Sequence, residues 1–144
     1  MFNENQFSMD LWEALNIKEE FVEYRNIITD RKSKYSVCAW VITEKEDVKK
    51  FISKILKDKY YAKSTHNSYA YRIKDTNWVI IEWKNDDWEK WAGMCILREM
   101  IREDCQNMII VVTRYFWWIH LQTDRFKNVI DGTKFIINEI KKWN

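Results

Sequence analysis

Proline is absent from this chain, and glycine occurs only at Gly93 and Gly132. Positive φ is cheap only for glycine, so a chain this poor in it has little room for long, sharply turning loops. Neither a dinucleotide fingerprint nor a P-loop can be assembled from two glycines. Cysteine is scarce as well. Cys38, Cys95 and Cys105 make an odd set without a CxxC pair, which fits neither a disulfide framework nor a zinc site and predicts reduced thiols. With only His66 and His120 as histidines and no close Cys/His pair, no metal or other cofactor is expected. No stretch approaches the ~18 apolar residues of a membrane span. The opening MFNENQFSMD lacks the basic and apolar regions of a secretory signal. The expectation is a cytoplasmic protein with no membrane partner.

What is present in abundance is aromatic surface. Hydrophobic residues reach 47%, enough for a core, and nine are tryptophan, too many for all to be buried. The net charge of +2 hides an asymmetry: residues 1–30 are strongly acidic and the remainder is basic. That basic surplus suits an anionic partner without by itself marking a nucleic-acid binder.

Taken in order, residues 1–30 read as an acidic helical extension. Ser8 caps one segment bearing Leu11, Trp12 and Leu15, and a second runs from Lys18 to Ile28. This arm either docks on the domain or covers its basic surface. Residues 31–144 form the domain proper. Tyr35 to Ile42 is a strand apolar on both faces. Thr43 to Glu46 reads as a capping box for a helix with Val48, Phe51, Ile52, Ile55 and Leu56 on one face. Its lysines read as a solvated face. His66 to Ile73 and Asn77 to Trp83 form a hairpin. Asp86 with Glu89 reads as the cap of a second helix, where Gly93 permits close approach to the sheet. Met108 to Val112 is the buried central strand, and Thr123 or Asp124 starts the last helix. The expected fold is α+β: a two-layer sandwich with a mixed sheet of four or five strands. Helices lie mainly on one face, in the order β-α-β-β-α-β-α after the N-terminal arm.

No serine or cysteine sits in a nucleophile elbow, so nucleophilic catalysis has no support. An enzyme built on His66 and Asp87 is the weakest alternative, and no catalytic residues are expected. The remaining signal is aromatic residues interleaved with basic ones after the central strand: Arg114, Tyr115, Trp117, Trp118, His120, Arg125 and Lys127. Such a cluster either packs internally or contacts a partner, by stacking or by filling a protein pocket.

The chain resembles the IMPACT family in the eukaryotic form of its ancient domain. The matching pieces are Asp30-Arg31-Lys32-Ser33, Thr65-His66-Asn67 with Tyr69-Ala70-Tyr71-Arg72, Asp86-Asp87 with Glu89, Ala92-Gly93, Val111 to Phe116, and Asp124-Arg125-Phe126-Lys127. They run in family order across roughly residues 30–142. The resemblance implies a fold related to one in a ribosomal small-subunit protein and in a domain of the translocase elongation factor. It implies no enzyme activity. It implies instead a translation-associated regulator that binds protein partners, such as the activator of the starvation-responsive initiation-factor kinase. A ribosome- or RNA-binding module, for example one that silences ribosomes, is the alternative. Eukaryotic relatives carry an RWD domain where this sequence has its acidic extension. The family also has a glycine pair where Trp117-Trp118 stand, and single glycines at Trp88 and Gln122. The expected partner surface is Arg114, Tyr115, Trp117, Trp118, His120, Arg125 and Lys127 with His66 and Asn67, around a cleft that tryptophan either fills or turns into a contact surface.

Overall fold

The computed structural model describes residues 21–116 and 119–142. Five strands and four helices follow in the order β1 (Val22–Asp30), β2 (Ser33–Val41), α1 (Lys45–Leu56), α2 (Lys59–Ala62), β3 (His66–Lys74), β4 (Ile80–Asn85), α3 (Ala92–Arg102), β5 (Met108–Tyr115) and α4 (Asp124–Lys141). The strands lie side by side in the order β1-β2-β5-β3-β4. The fold is α+β, and β5 is the central strand, as its apolar run predicts.

The sheet is antiparallel throughout rather than mixed. β2 and β3 do run in the same direction, but β5 is inserted between them and opposes both, so no parallel pair forms. Alternation along β5 divides the core. Met108, Ile110 and Val112 face one way, onto Ile96 and Met100 of α3 and Val129, Ile136 and Ile137 of α4. Ile109 and Val111 face the other way, onto Phe51 and Ile55 of α1 and Tyr61 of α2. Helices α3 and α4 thus share one face, and the α1–α2 pair covers the other.

The helical reading fails for residues 22–30, which are the edge strand β1, while residues 1–20 and Trp117-Trp118 lie outside the described residues. The cause is a bulge. Pairing with β2 shifts register between Tyr24 and Ile28, and Asn26 there takes φ of 54°. Four residues of β1 span two of β2, so two extra residues bulge out with Arg25 and Asn26 exposed, and the adjacent Ile27 and Ile28 blur the alternation by which a strand is recognised.

Two caps move by a residue or more. At α1 it is Asp47, not Glu46, that reaches back, its carboxylate accepting the amides of Thr43 (2.9 Å) and Glu44 (3.1 Å). In the β3–β4 hairpin, Asp75 accepts the amides of Asn77 (2.8 Å) and Val79 (2.9 Å), so the turn is longer and β4 starts at Ile80. The glycine-poor sequence still turns sharply: among the described residues, ten other than glycine have positive φ, including Arg31, Lys32, Asp87, Trp88 and Gln122.

Candidate functional site at the end of the central strand

β5 ends where the β4–α3 loop and the β5–α4 connection converge. Together with the start of β3 they enclose a cleft of about 630 Å³. Its lining comes from Thr65 and His66, from Trp88, Glu89 and Lys90, from Arg114 and Phe116, and from the stretch around His120, Gln122, Arg125 and Phe126. His66, Arg114, His120 and Arg125, four of the predicted residues, therefore meet in one place.

The others separate for simple geometric reasons. Arg114 shares the parity of Met108, Ile110 and Val112 and projects on the α3–α4 face. Tyr115 projects oppositely, where its hydroxyl donates to the Tyr60 carbonyl. Lys127 lies on a separate groove beside β1 and pairs with Asp131 at 3.1 Å. Asn67 is a brace: its amide nitrogen donates to the Asp87 carboxylate (2.6 Å), and its side-chain oxygen accepts from Thr113 (2.8 Å).

The cleft floor is a buried charge network. Arg114 Nη1 donates to Glu89 Oε1 at 2.6 Å, and the other oxygen of Glu89 lies 3.0 Å from His66 Nε2. Arg114 and Glu89 are each 5% exposed. His66 and Arg114 are cross-strand partners, which is why both reach the same carboxylate. The second ring nitrogen of His66, Nδ1, lies 2.8 Å from the Asp87 carbonyl oxygen. With an acceptor at each nitrogen, the surroundings favour the protonated ring. Burial is the largest influence on its pKa and pushes it down, but the Glu89 carboxylate and the Asp87 carbonyl outweigh burial and leave it raised. Glu89 shows the converse: burial pushes its pKa up, and His66 and Arg114 pull it below the usual carboxylate range. His66 meets the backbone of Asp87 and not its carboxylate, so a His66–Asp87 acid–base pair is not formed.

Glu89 is the residue that sequence reasoning misplaced. Its position three after Asp86 mimics a capping pair, yet Asp86 alone caps α3, accepting from Gly93 (2.8 Å) and Trp91 (3.2 Å). The available signal was the unusual Arg114 at the end of an apolar strand, which requires a buried counter-ion. The Arg114 guanidinium also lies 5.7 Å from the Tyr35 ring centroid and 5.2 Å from that of Phe116.

Two features are left open. The Nε groups of Arg114 and Arg125 are buried and have no hydrogen-bond partner among the described residues. Each such donor costs about 1–3 kcal/mol until an acceptor arrives. At the rim, Trp88 is 93% exposed at φ of 69°. It stands out from the cleft and does not fill it. Trp78, Trp83 and Trp91 are also exposed, so four of the five described tryptophans lie at the surface. The thiols play no part here: burial pushes Cys38 up strongly and Cys105 up to about 12. Among the described residues there is no cluster of three metal-ligating side chains, and no helix is long and apolar enough to cross a membrane.

Comparison with known proteins places this geometry in context. The family model described as the Impact N-terminal domain matches residues 31–135. A curated relative in Dictyostelium discoideum, named Protein IMPACT homolog, is 32% identical over 77% of this chain and 32% of its own length. The Schizosaccharomyces pombe homolog is 34% identical over 71% of this chain and 36% of its own. The Mus musculus protein is 34% identical over 78% and 36%. The chain thus spans about a third of the length of these relatives. Among solved structures, a hypothetical protein superposes with a TM-score of 0.71 at 18% identity, over 81% of this chain and 57% of its own, a likeness of fold. The two-domain translational regulator Yih1 superposes with a TM-score of 0.56 at 28% identity, over 82% of this chain and 46% of its own.

Proposed function

The chain belongs to the IMPACT family, and on that premise we propose that it is a translation regulator acting by holding a protein partner at the mouth of the cleft. The observation that carries this reading is the division between floor and rim. On the floor, Glu89 is shared by Arg114 and His66, while exposed Trp88 and His120 and half-buried Arg125 form an aromatic and cationic rim. Such a rim suits an acidic partner segment bearing an apolar anchor. Trp117 and Trp118 belong to the same proposed surface by sequence position, with Tyr115, Lys127 and Asn67 at its margins or beneath it. The solved relative described as a translational regulator supports the regulatory role. The partner proposed is a component of the translation or kinase-activation machinery in the cytoplasm, met under starvation stress. The role is one of binding, with no reaction catalysed.

The test is direct binding of purified chain to purified fragments of the kinase-activator protein. Arg125→Glu is expected to weaken the complex about ten-fold, a typical cost for reversing one interfacial charge. Absence of binding by the unmodified chain at micromolar concentration would overturn the partner assignment. A ribosome- or RNA-binding reading draws on the three permanent cations of the cleft, Lys90, Arg114 and Arg125, against the single carboxylate Glu89. It predicts co-sedimentation with ribosomes at low salt that is lost as salt rises. Failure to sediment with ribosomes at low salt excludes it.

A further inference from the structure

We propose that the cleft is a binding site for a small nucleoside phosphate, independently of which macromolecule meets its rim. The phosphate end is marked by unsatisfied donors. Arg114 and Arg125 both line the cleft, and in each the Nε is buried without an acceptor. Arg114 is 5% exposed, and its other nitrogens are already committed, Nη1 to Glu89 at 2.6 Å and Nη2 to Ser33 at 3.5 Å. The Nε left over has no acceptor among the described residues. Charge selects the sign of that acceptor. Lys90, Arg114 and Arg125 oppose only Glu89, and a protonated His66 adds to the surplus. A phosphate provides several oxygens for divergent guanidinium donors at once, which a lone carboxylate does less well.

The other end of the site is aromatic. Trp88 stands at the rim, 93% exposed, and Phe116 and Phe126 also line the cleft. Phe116 and His120 are already in ring contact, with centroids 5.8 Å apart. An exposed indole beside a cationic pocket is the arrangement that holds a base by stacking while its phosphate is gripped below. The volume of about 630 Å³ suits a ligand of nucleotide size and is too small for a folded partner.

Calorimetric titration of the full chain with adenosine 5′-monophosphate, inorganic pyrophosphate and a ten-nucleotide oligoribonucleotide tests this. The nucleotide is expected to bind at sub-millimolar concentration. Trp88→Gly should weaken it on the order of ten-fold while leaving pyrophosphate unchanged, since only the base stacks. Arg125→Ala should weaken both probes by about ten-fold. Neither variant removes a buried partner of the Arg114–Glu89 pair, so both should fold, which an unchanged circular dichroism spectrum verifies. Absence of nucleotide binding at millimolar concentration overturns the proposal. So does binding that neither variant weakens, or an oligoribonucleotide affinity a thousand-fold above that of the nucleotide, which would make the cleft an RNA groove.

Discussion

Glu89 holds two positive groups with one carboxylate, and its position sets what the cleft can tolerate. Glu89→Gln leaves the Arg114 guanidinium buried without a counter-ion, a loss of about 3 kcal/mol or more, read as a lower urea midpoint. The pH dependence follows from the two shifts. His66 is raised above 6.5, so its contribution is full below 6.5 and disappears as pH rises through the folded value. Glu89 is lowered below 4.5, so its contribution is full above 4.5 and disappears as pH falls through the folded value. The stabilisation lost in His66→Gln should therefore be largest between these limits and shrink in alkaline solution. A pH-independent difference would show that the imidazolium is not held as described. Trp88 and Gln122 have φ of 69° and 55°, at the two single positions where the family resemblance calls for glycine. Trp88→Gly is thus expected to leave stability within about 1 kcal/mol of its starting value, since relief of the left-handed backbone offsets the greater freedom of the unfolded chain. Of the basic and aromatic cluster read from the sequence after the central strand, Arg114, His120 and Arg125 line the cleft. The partition of the cluster was legible, had alternation been carried past Val112: it sends Arg114 to one face and Tyr115 to the other. Glu89 was not legible, because a carboxylate three residues after an aspartate reads as a cap.

Helix α3 shows how one contact fixes an element. A Cβ on Gly93 would lie 3.0 Å from the Asn85 nitrogen and 3.0 Å from Asp86 Oδ1, the atom that caps the helix. Gly93→Ala should gain about 1 kcal/mol of helix propensity and lose more than that through displacement of the β4–α3 loop, for a net loss of about 1–2 kcal/mol in denaturant unfolding. The sequence reading of Gly93 as a point of close approach is sound, and so are α1, α3, α4 and the hairpin of β3 and β4. β1 escaped because its bulge puts polar, exposed Arg25 and Asn26 in mid-strand and the apolar pair Ile27-Ile28 after them. The antiparallel character of the whole sheet escaped because it depends on where β5 inserts, a fact about partners rather than about any one segment.

The molecule as a whole is a sheet whose middle is better protected than its margins. β5 is hydrogen-bonded on both sides and buried from Met108 to Arg114, whereas β4 has a single neighbour and exposes Trp83. Amide hydrogen exchange should accordingly be slowest in β5 and at least ten-fold faster in β4 and around the β1 bulge. Comparable protection across all five strands would contradict this order.

The placement of β5 also bears on how the protein comes into being at the ribosome. Both hairpins, β1–β2 and β3–β4, leave the exit tunnel before the strand that joins them: Tyr35 and His66 wait for Arg114. Until then neither hairpin has the apolar layer of β5 to rest on, and two-stranded hairpins are marginal alone. The nascent chain should stay protease-sensitive until β5 and the α4 residues that pack on it have emerged, and then become resistant in one step.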